Sequence, residues 1–449
     1  NINEKNSKNN AAAPDVNNYK KQDITNQDDF KIKETIDNAD DLYLKGEHEK
    51  AKKKYEKILD KHPNSPRALY GLANCLDKIA EKQKSNALLQ DSISTLDKLI
   101  HKEKVPERLV LIAGEKLVKL LRFRGWQNKA VEICQYMVGL FPTNHTWKNM
   151  LGVNLLVAAK NSEAKIYFKQ VLETHPDNGF AKSHMGFILK HETNYEEAVK
   201  YLSEGIASKE PGAVDGRFFF ALGDAYYRIG QPEQARKVYE EGAELKVFAS
   251  ADQRSLYNVP NLTARPFWTA KETGYQASIQ LLKDNWKTIR DEGLANMDPK
   301  LGTFIDENEN LREAGDWKLF TLYRQGRKIE ANCRKVPKTC ALLEKIPDAT
   351  SNKRGQIKFS VMHPGVHVWP HCGPTNCRLR AHVGLVVPEG PRIRVVNETR
   401  TWKEGEVIIF DDSFEHEVWH DGETFRLVLI IDFWHPDIPD KQRRTIGPV

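Results

Sequence analysis

Long apolar runs are missing from this sequence. No stretch approaches the ~20 consecutive residues that cross a bilayer as a helix, so no transmembrane helix is expected within the chain. Cysteine is scarce: 6 in 449 residues, too few and too dispersed for a disulfide scaffold or a zinc ribbon. One-sided charge is lacking as well, because Lys+Arg 68 against Asp+Glu 62 leaves only +6 over a large surface. With no basic block and no basic stripe interleaved with aromatics, nucleic acid is not an expected partner. An initiator Met is also absent, and the start at Asn predicts a piece of a longer protein whose targeting signal or anchor lies outside it. What remains is a chain long enough for two or three domains, with 40% hydrophobic residues to fill their cores.

Residues 1–33 are rich in Asn, Lys, Asp and Gln with hardly an aromatic, and are expected to form a disordered polar linker. From 34 to 250 the pattern is helical and repeats. Ala130, Ala164 and Ala198 stand 34 residues apart and Ala235 follows 37 later, while Gly152, Gly186 and Gly223 show the same two spacings. In AKKKYEKILDKHP (51–63), AKIYFKQVLETHP (164–176) and AVKYLSEGIASKEP (198–211) a small residue opens a helix and a proline ends it. This period and pattern resemble tetratricopeptide repeats, in which small residues let the two helices of a unit approach closely. The first unit and the last three fit well, and the stretch from about 79 to 125 fits poorly. Such a solenoid is expected to offer a concave face to a protein or peptide, with a spacer or dimerisation arm as the plainer alternative.

At NVPNLTARPFW (258–268) the helical pattern breaks, and 251–449 is expected to be a second domain. After one predicted helix over 276–296 it becomes strand-rich. Strands are predicted at 355–362, 377–387, 392–397, 405–411 and 424–434, separated by Gly, Pro and Asp turns. Period-2 alternation puts Lys358, Ser360 and Met362 on one face and Arg378, Arg380 and His382 on another. In the last strand Phe425, Leu427, Leu429, Ile431 and Phe433 face opposite to Arg426. An arginine inside so apolar a run needs an anionic partner, either a bound carboxylate or an internal one such as Asp432 or Asp412.

Seven of the 14 histidines lie between 363 and 435. Two of them from separate strands, with Arg426 ten residues beyond His416, suit a ferrous ion and a dicarboxylate cosubstrate. The usual iron site adds a carboxylate two residues after the first histidine. Counted from His371, that place is Gly373. Spacing alone does not choose between His367 and His371, or between His416 and His420. Zinc is the alternative metal, but the cysteines do not supply the usual ligand pairs, and a zinc hydrolase would lack an adjacent general base. Cys333 and Cys340 bracket RKVPKT, a loop that a disulfide would close. Together with glycosylation sequons at Asn144, Asn261 and Asn397 they point to an oxidising compartment.

The stretch from HVWPH through NCRLRAH and FDDSFEHEVWH to FRLVLIIDFWHP resembles the aspartyl/asparaginyl β-hydroxylase family, and the resemblance covers the repeats as well. It implies an α+β chain in which a tetratricopeptide-like solenoid precedes a double-stranded β-helix (jelly-roll) oxygenase domain. It also implies Fe(II), O2 and 2-oxoglutarate as cofactor and cosubstrates. The substrates would be Asp or Asn side chains in epidermal-growth-factor-like domains of secreted or membrane proteins, hydroxylated at the β-carbon in the endoplasmic reticulum lumen. Position by position, the resemblance makes His371 and His416 the iron ligands and Arg426, with Ser360, the partner of the distal carboxylate of 2-oxoglutarate. Arg380 and His382 would lie at the cosubstrate's other end, with Met362 lining the pocket. Arg312, Trp317 and Arg378, with Arg380, would hold the substrate's acidic residue. Cys333 and Cys340 match a disulfide pair, whose loop is expected to border the substrate entrance. The absent carboxylate at Gly373 keeps a second reading open: a non-catalytic luminal receptor for acidic proteins.

Overall fold

The computed structural model describes residues 20–308 and 310–449. They fall into two compact units, one ending at Val214 and the other running from Asp215 to Val449.

In the first unit ten helices follow one another, from Lys33–Leu44 to Tyr195–Ala207, and neighbours pack in pairs. The repeat spacing has a steric cause. A Cβ at Gly152 would sit 2.5 Å from the ring of Phe168, and one at Gly186 would sit 2.7 Å from Leu202, so the helices of a pair meet where one of them has no side chain. The matching alanines, Ala130, Ala164 and Ala198, are fully buried. The poorly fitting stretch is helical too, as Asn86–Ile100 and Glu107–Phe123, and differs in helix length rather than in kind. The expected linker needs correction. Residues 1–19 lie outside the described residues, but beyond them Lys21–Ile24 is a 3₁₀ turn and Gln27–Lys31 a helix capped by Asn26. Asp29 is fully buried and accepts the Arg67 amide at 2.9 Å, so this polar segment is fixed by a buried carboxylate that composition does not reveal.

The second unit begins with a helical hairpin, Gly216–Arg228 and Pro232–Glu244, which ends the stretch of repeat periodicity. Thirteen strands follow: β1 (Phe267–Trp268), β2 (Ile305–Asp306), β3 (Arg312–Ala314), β4 (Trp317–Arg324), β5 (Arg327–Lys328), β6 (Gln356–Met362), β7 (His367–His371), β8 (Arg378–Val386), β9 (Arg392–Val395), β10 (Glu398–Arg400), β11 (Val407–Phe410), β12 (His416–Trp419) and β13 (Arg426–Trp434). They form two antiparallel sheets, β1-β11-β8-β13-β6-β4-β2 with β5 beside β4, and β10-β9-β12-β7-β3. The predicted helix over 276–296 is two helices, Gln276–Asp284 and Trp286–Ala295, parted at Asn285.

Alternation along β13 builds both cores. Leu427, Leu429, Ile431 and Phe433 join Ile357, Phe359 and Val361 of β6 under the helices, while Val428 and Ile430 face Val368, Ile393 and Val418 of the smaller sheet. Each such side chain contributes about 1.5–3 kcal/mol on burial. A one-residue slip of β13 would exchange the two sets and turn Arg426 into the helix layer. Cys333 and Cys340 form a disulfide with Cα atoms 5.7 Å apart. Both cysteines belong to the helix-side core, so their loop does not border the cavity described below.

Candidate active site

Between the two sheets lies a cavity lined by Trp317, Ser360, Met362, His371, Arg380, His382, His416 and Arg426. All eight were expected from the sequence. His371 and His416 are register partners on β7 and β12, with ring centroids 4.1 Å apart. Each orients its imidazole through a backbone carbonyl two residues earlier: Nδ1 of His371 donates to Trp369 at 2.7 Å and Nδ1 of His416 to Phe414 at 2.9 Å. The donated proton fixes the tautomer and leaves the Nε2 lone pair of each ring as a metal donor. Burial, and then the neighbouring His371, hold His416 well below the usual histidine range, so it stays neutral as a ligand must.

The competing histidines sit elsewhere. His367 points from the other face of β7 between Glu313 and Glu417. His420 follows β12, where its Nδ1 accepts from the Gly422 amide at 3.2 Å, and it does not line the cavity.

Gly373 has no room for a ligand. A Cβ there would lie 2.6 Å from Cγ of Asp412. Nor does Asp412 take the vacant role, because both its oxygens are held by Arg378, at 2.6 to 3.2 Å, and one also by Arg380 at 3.3 Å. Burial opposes ionisation of Asp412, yet these two guanidinium groups hold its carboxyl far below the usual range. Among the described residues no group of three His, Cys, Asp or Glu side chains could hold a metal ion.

Neither of the internal carboxylates named for Arg426 is its partner. Asp432 is taken bidentately by Arg380, at 2.7 and 2.9 Å, and Asp412 by Arg378. Arg426 is 1% exposed, its Nε and Nη1 have no hydrogen-bond partner, and its one hydrogen bond is 3.3 Å to Ser360 Oγ. Burial alone pulls it down to about 9, and it remains a cation at neutral pH without a counter-charge. Ser360 Oγ accepts from Arg426 and, at 2.9 Å, from Trp317 Nε1, so its own proton is left to donate. His382 Nδ1 accepts from Trp402 Nε1 at 3.3 Å, which puts its proton on Nε2, a buried atom with no partner. Burial, then Arg426, hold its ring well below the usual range. Unsatisfied donors on Arg426 and His382 thus border a cavity that also holds two metal-competent imidazoles, which fits a carboxylate ligand beside a metal ion.

Arg378 and Arg312 are placed differently from the expectation. Arg378 is buried in ion pairs with Asp412 and Asp432 and donates to the Arg354 carbonyl at 2.7 Å, while Arg312 donates to Gly315 O at 2.9 Å; neither lines the cavity. Period-2 alternation gives the face of a side chain, but not whether a carboxylate of the same chain has claimed it. Lys358 and Glu307 line the cavity and were not among the expected site residues, although Lys358 shares the face of Ser360. Trp402 was missed with no signal to find it: it stacks on His382 and lies 4.4 Å from the Arg426 guanidinium. Cys372 is inert, its thiol pushed up to about 11 by burial.

This two-sheet barrel, with two imidazoles and one uncompensated guanidinium facing inward, has the form of a barrel that takes an anionic ligand. The family described as Aspartyl/Asparaginyl beta-hydroxylase matches residues 283–436, and Tetratricopeptide repeat matches 36–81 and 192–246. The chain is 50% identical over 431 residues to the Mus musculus and Homo sapiens proteins named Aspartyl/asparaginyl beta-hydroxylase, covering 96% of this chain and 58% and 57% of theirs. Aspartate beta-hydroxylase domain-containing protein 1 of Mus musculus is 33% identical over 249 residues, covering 54% of this chain and 67% of that protein. The chain belongs to the aspartyl/asparaginyl β-hydroxylase family. It spans somewhat more than half the length of the first two relatives.

Proposed function

We propose that this chain is the catalytic portion of an Fe(II)- and 2-oxoglutarate-dependent dioxygenase that hydroxylates the β-carbon of Asp or Asn residues in epidermal-growth-factor-like domains, releasing succinate and CO2. The observation that carries the reading is Arg426, a buried cation without a counter-ion in the same cavity as the two imidazoles. His371 and His416 would hold the iron through Nε2. Arg426, Ser360 and His382 supply donors for the carboxylates of 2-oxoglutarate, which accept charge-assisted hydrogen bonds. Iron with 2-oxoglutarate, when bound, supplies the activation of O2. Trp317 closes one wall, and Arg380, its guanidinium oriented by Asp432, lines the cavity where an acidic substrate side chain would be held.

The relatives' names support hydroxylation of aspartyl or asparaginyl residues. The disulfide supports an oxidising compartment, which we take to be the endoplasmic reticulum lumen. Asn261 and Asn397 are exposed and suit glycosylation there, whereas the side chain of Asn144 caps the helix His145–Val157. No helix among the described residues is long and apolar enough to cross a membrane.

The two-imidazole site keeps the receptor reading as the alternative. Incubating an epidermal-growth-factor-like peptide with the protein, iron and 2-oxoglutarate separates them by mass spectrometry. One added oxygen, lost in His371→Ala and His416→Ala while their circular dichroism is unchanged, is the expected result; binding without oxygen addition would make the protein a receptor.

A further inference from the structure

The two residues whose carbonyls orient the imidazoles, Trp369 and Phe414, are themselves contacted from outside the barrel. Phe414 forms a β-bridge with Gln253, whose side chain donates to Ser413 Oγ at 2.8 Å, and the next residue, Glu415, donates its amide to Asp252 O at 2.7 Å. The Glu415 carboxylate is buried on the face of β12 opposite His416. Arg254 pairs with it at 2.9 Å, Arg394 at 3.1 Å, and Tyr227 donates its hydroxyl at 3.3 Å. Arg254 is 1% exposed, lies 3.8 Å from the Tyr239 ring centroid and donates to Ala251 O at 2.6 Å. On the neighbouring strand the Arg228 guanidinium lies 5.0 Å from the Trp369 ring centroid and donates to Asn310 O at 2.6 Å. Tyr227, Arg228 and Tyr239 all belong to the helical hairpin 216–244.

We propose that Arg254 and Glu415 are positioning residues for the two-histidine site, and that the hairpin 216–244 is part of the catalytic scaffold rather than a last detachable repeat. The inference rests on the reading of His371 and His416 as metal ligands. A buried pair holds its geometry only while both charges are present, since removing one leaves the other uncompensated. Glu415 is joined to Phe414 by one peptide bond, so its placement sets the direction of the carbonyl that accepts the hydrogen bond from His416 Nδ1. Outer partners of this kind tune metal affinity without touching the metal.

The test is a titration of the full chain with Co(II) alone, followed by its visible d–d absorption. Glu415→Gln keeps the shape and loses the charge, and should weaken Co(II) binding about tenfold. Arg254→Lys keeps the charge and loses the planar stack, and should weaken it about threefold. Arg67→Met is the control: Arg67 is a buried arginine of the other unit, ion-paired to Asp37 and Asp40, and its loss should lower the melting temperature with cobalt affinity unchanged. Wild-type cobalt affinity in Glu415→Gln and Arg254→Lys would overturn the proposal, as would an equal loss in Arg67→Met. Should Glu415→Gln fail to fold, Arg254→Lys decides alone. A wild-type protein that takes up no cobalt, either alone or with saturating 2-oxoglutarate, would overturn the metal reading itself, and this inference with it.

Discussion

Replacing Arg426 by Met should make the protein more stable and abolish its response to 2-oxoglutarate. Arg426 is pulled down to about 9 by burial alone. At pH 7 it is charged in both the folded and the unfolded chain, so the penalty is present in full and is relieved only above pH 9, where the folded state begins to release the proton. The fall from the ordinary arginine value corresponds to on the order of 4–5 kcal/mol. Against this stand the contact with Trp402, worth about 2 kcal/mol when desolvated, and the long bond to Ser360, worth about 0.5–1 kcal/mol. The balance is a gain of about 2 kcal/mol, or a rise in melting temperature of roughly 4–8 °C for a unit of this size. Wild-type protein should gain about 2.7 kcal/mol when 2-oxoglutarate reaches a hundredfold excess over its Kd, and the variant nothing. Differential scanning fluorimetry of metal-loaded protein with and without 2-oxoglutarate measures both. A variant less stable than wild type by more than about 1 kcal/mol, or one that keeps the 2-oxoglutarate shift, would refute the argument.

Exchanging both Cys333 and Cys340 for Ser should cost about 2–3 kcal/mol, from the closure entropy of a loop with sequence separation 7. Turnover per folded molecule should stay unchanged, because the bridge lies on the helix side of the sheet; activity and melting curves of the double variant check both. Asp411 is pushed up to about 8 by burial, against the bonds it accepts from the Ser413 amide and hydroxyl. Its contribution is therefore fully present below about pH 4 and lost as pH rises toward 8. Asp411→Asn should be more stable than wild type by on the order of 4 kcal/mol at pH 7, with the difference nearly vanishing at pH 4; a constant difference between those values would show that Asp411 is ionised in the fold. Removing residues 34–214 should weaken turnover of a folded protein substrate far more than uncoupled 2-oxoglutarate decarboxylation, since the cavity lies wholly within Asp215–Val449. Unchanged kinetics for the protein substrate in a folded deletion variant would make the repeats a spacer.

The sequence carried the site further than it carried the strands that hold it. Alternation placed Ser360, Met362, Arg380, His382 and Arg426 on inward faces because β6, β8 and β13 are long and apolar enough for period 2 to stand out. Strands β7 and β12, which carry His371 and His416, were not among the predicted strands: β12 has four residues and β7 includes Pro370, so neither offers a run of alternation. Strand β4 was missed as well, although Trp317 was assigned from the family resemblance. The hairpin 216–244 keeps the repeat's own small residues, Gly223 and Ala235, and nothing in that pattern tells that Tyr227, Arg228 and Tyr239 reach the outer face of the barrel. Ion-pair partners are the other hidden element, as Arg378 shows.

The pairing of those arginines bears on why a site with only two protein ligands holds together. Arg378 and Arg380 against Asp412 and Asp432 form a buried cluster of balanced charge. Drawing Asp412 onto a metal would leave Arg378, 5% exposed, short of a counter-ion, a penalty of about 3–5 kcal/mol. The cluster therefore keeps its carboxylates, and Gly373 has no space for another. On the proposed reading the negative charge must come with the ligand. A divalent ion on two imidazoles, and Arg426 without a counter-charge, would call for an anion at each end of the cavity, which a dicarboxylate supplies and a monocarboxylate does not. Succinate should accordingly compete with 2-oxoglutarate through the Arg426 end, and acetate should not.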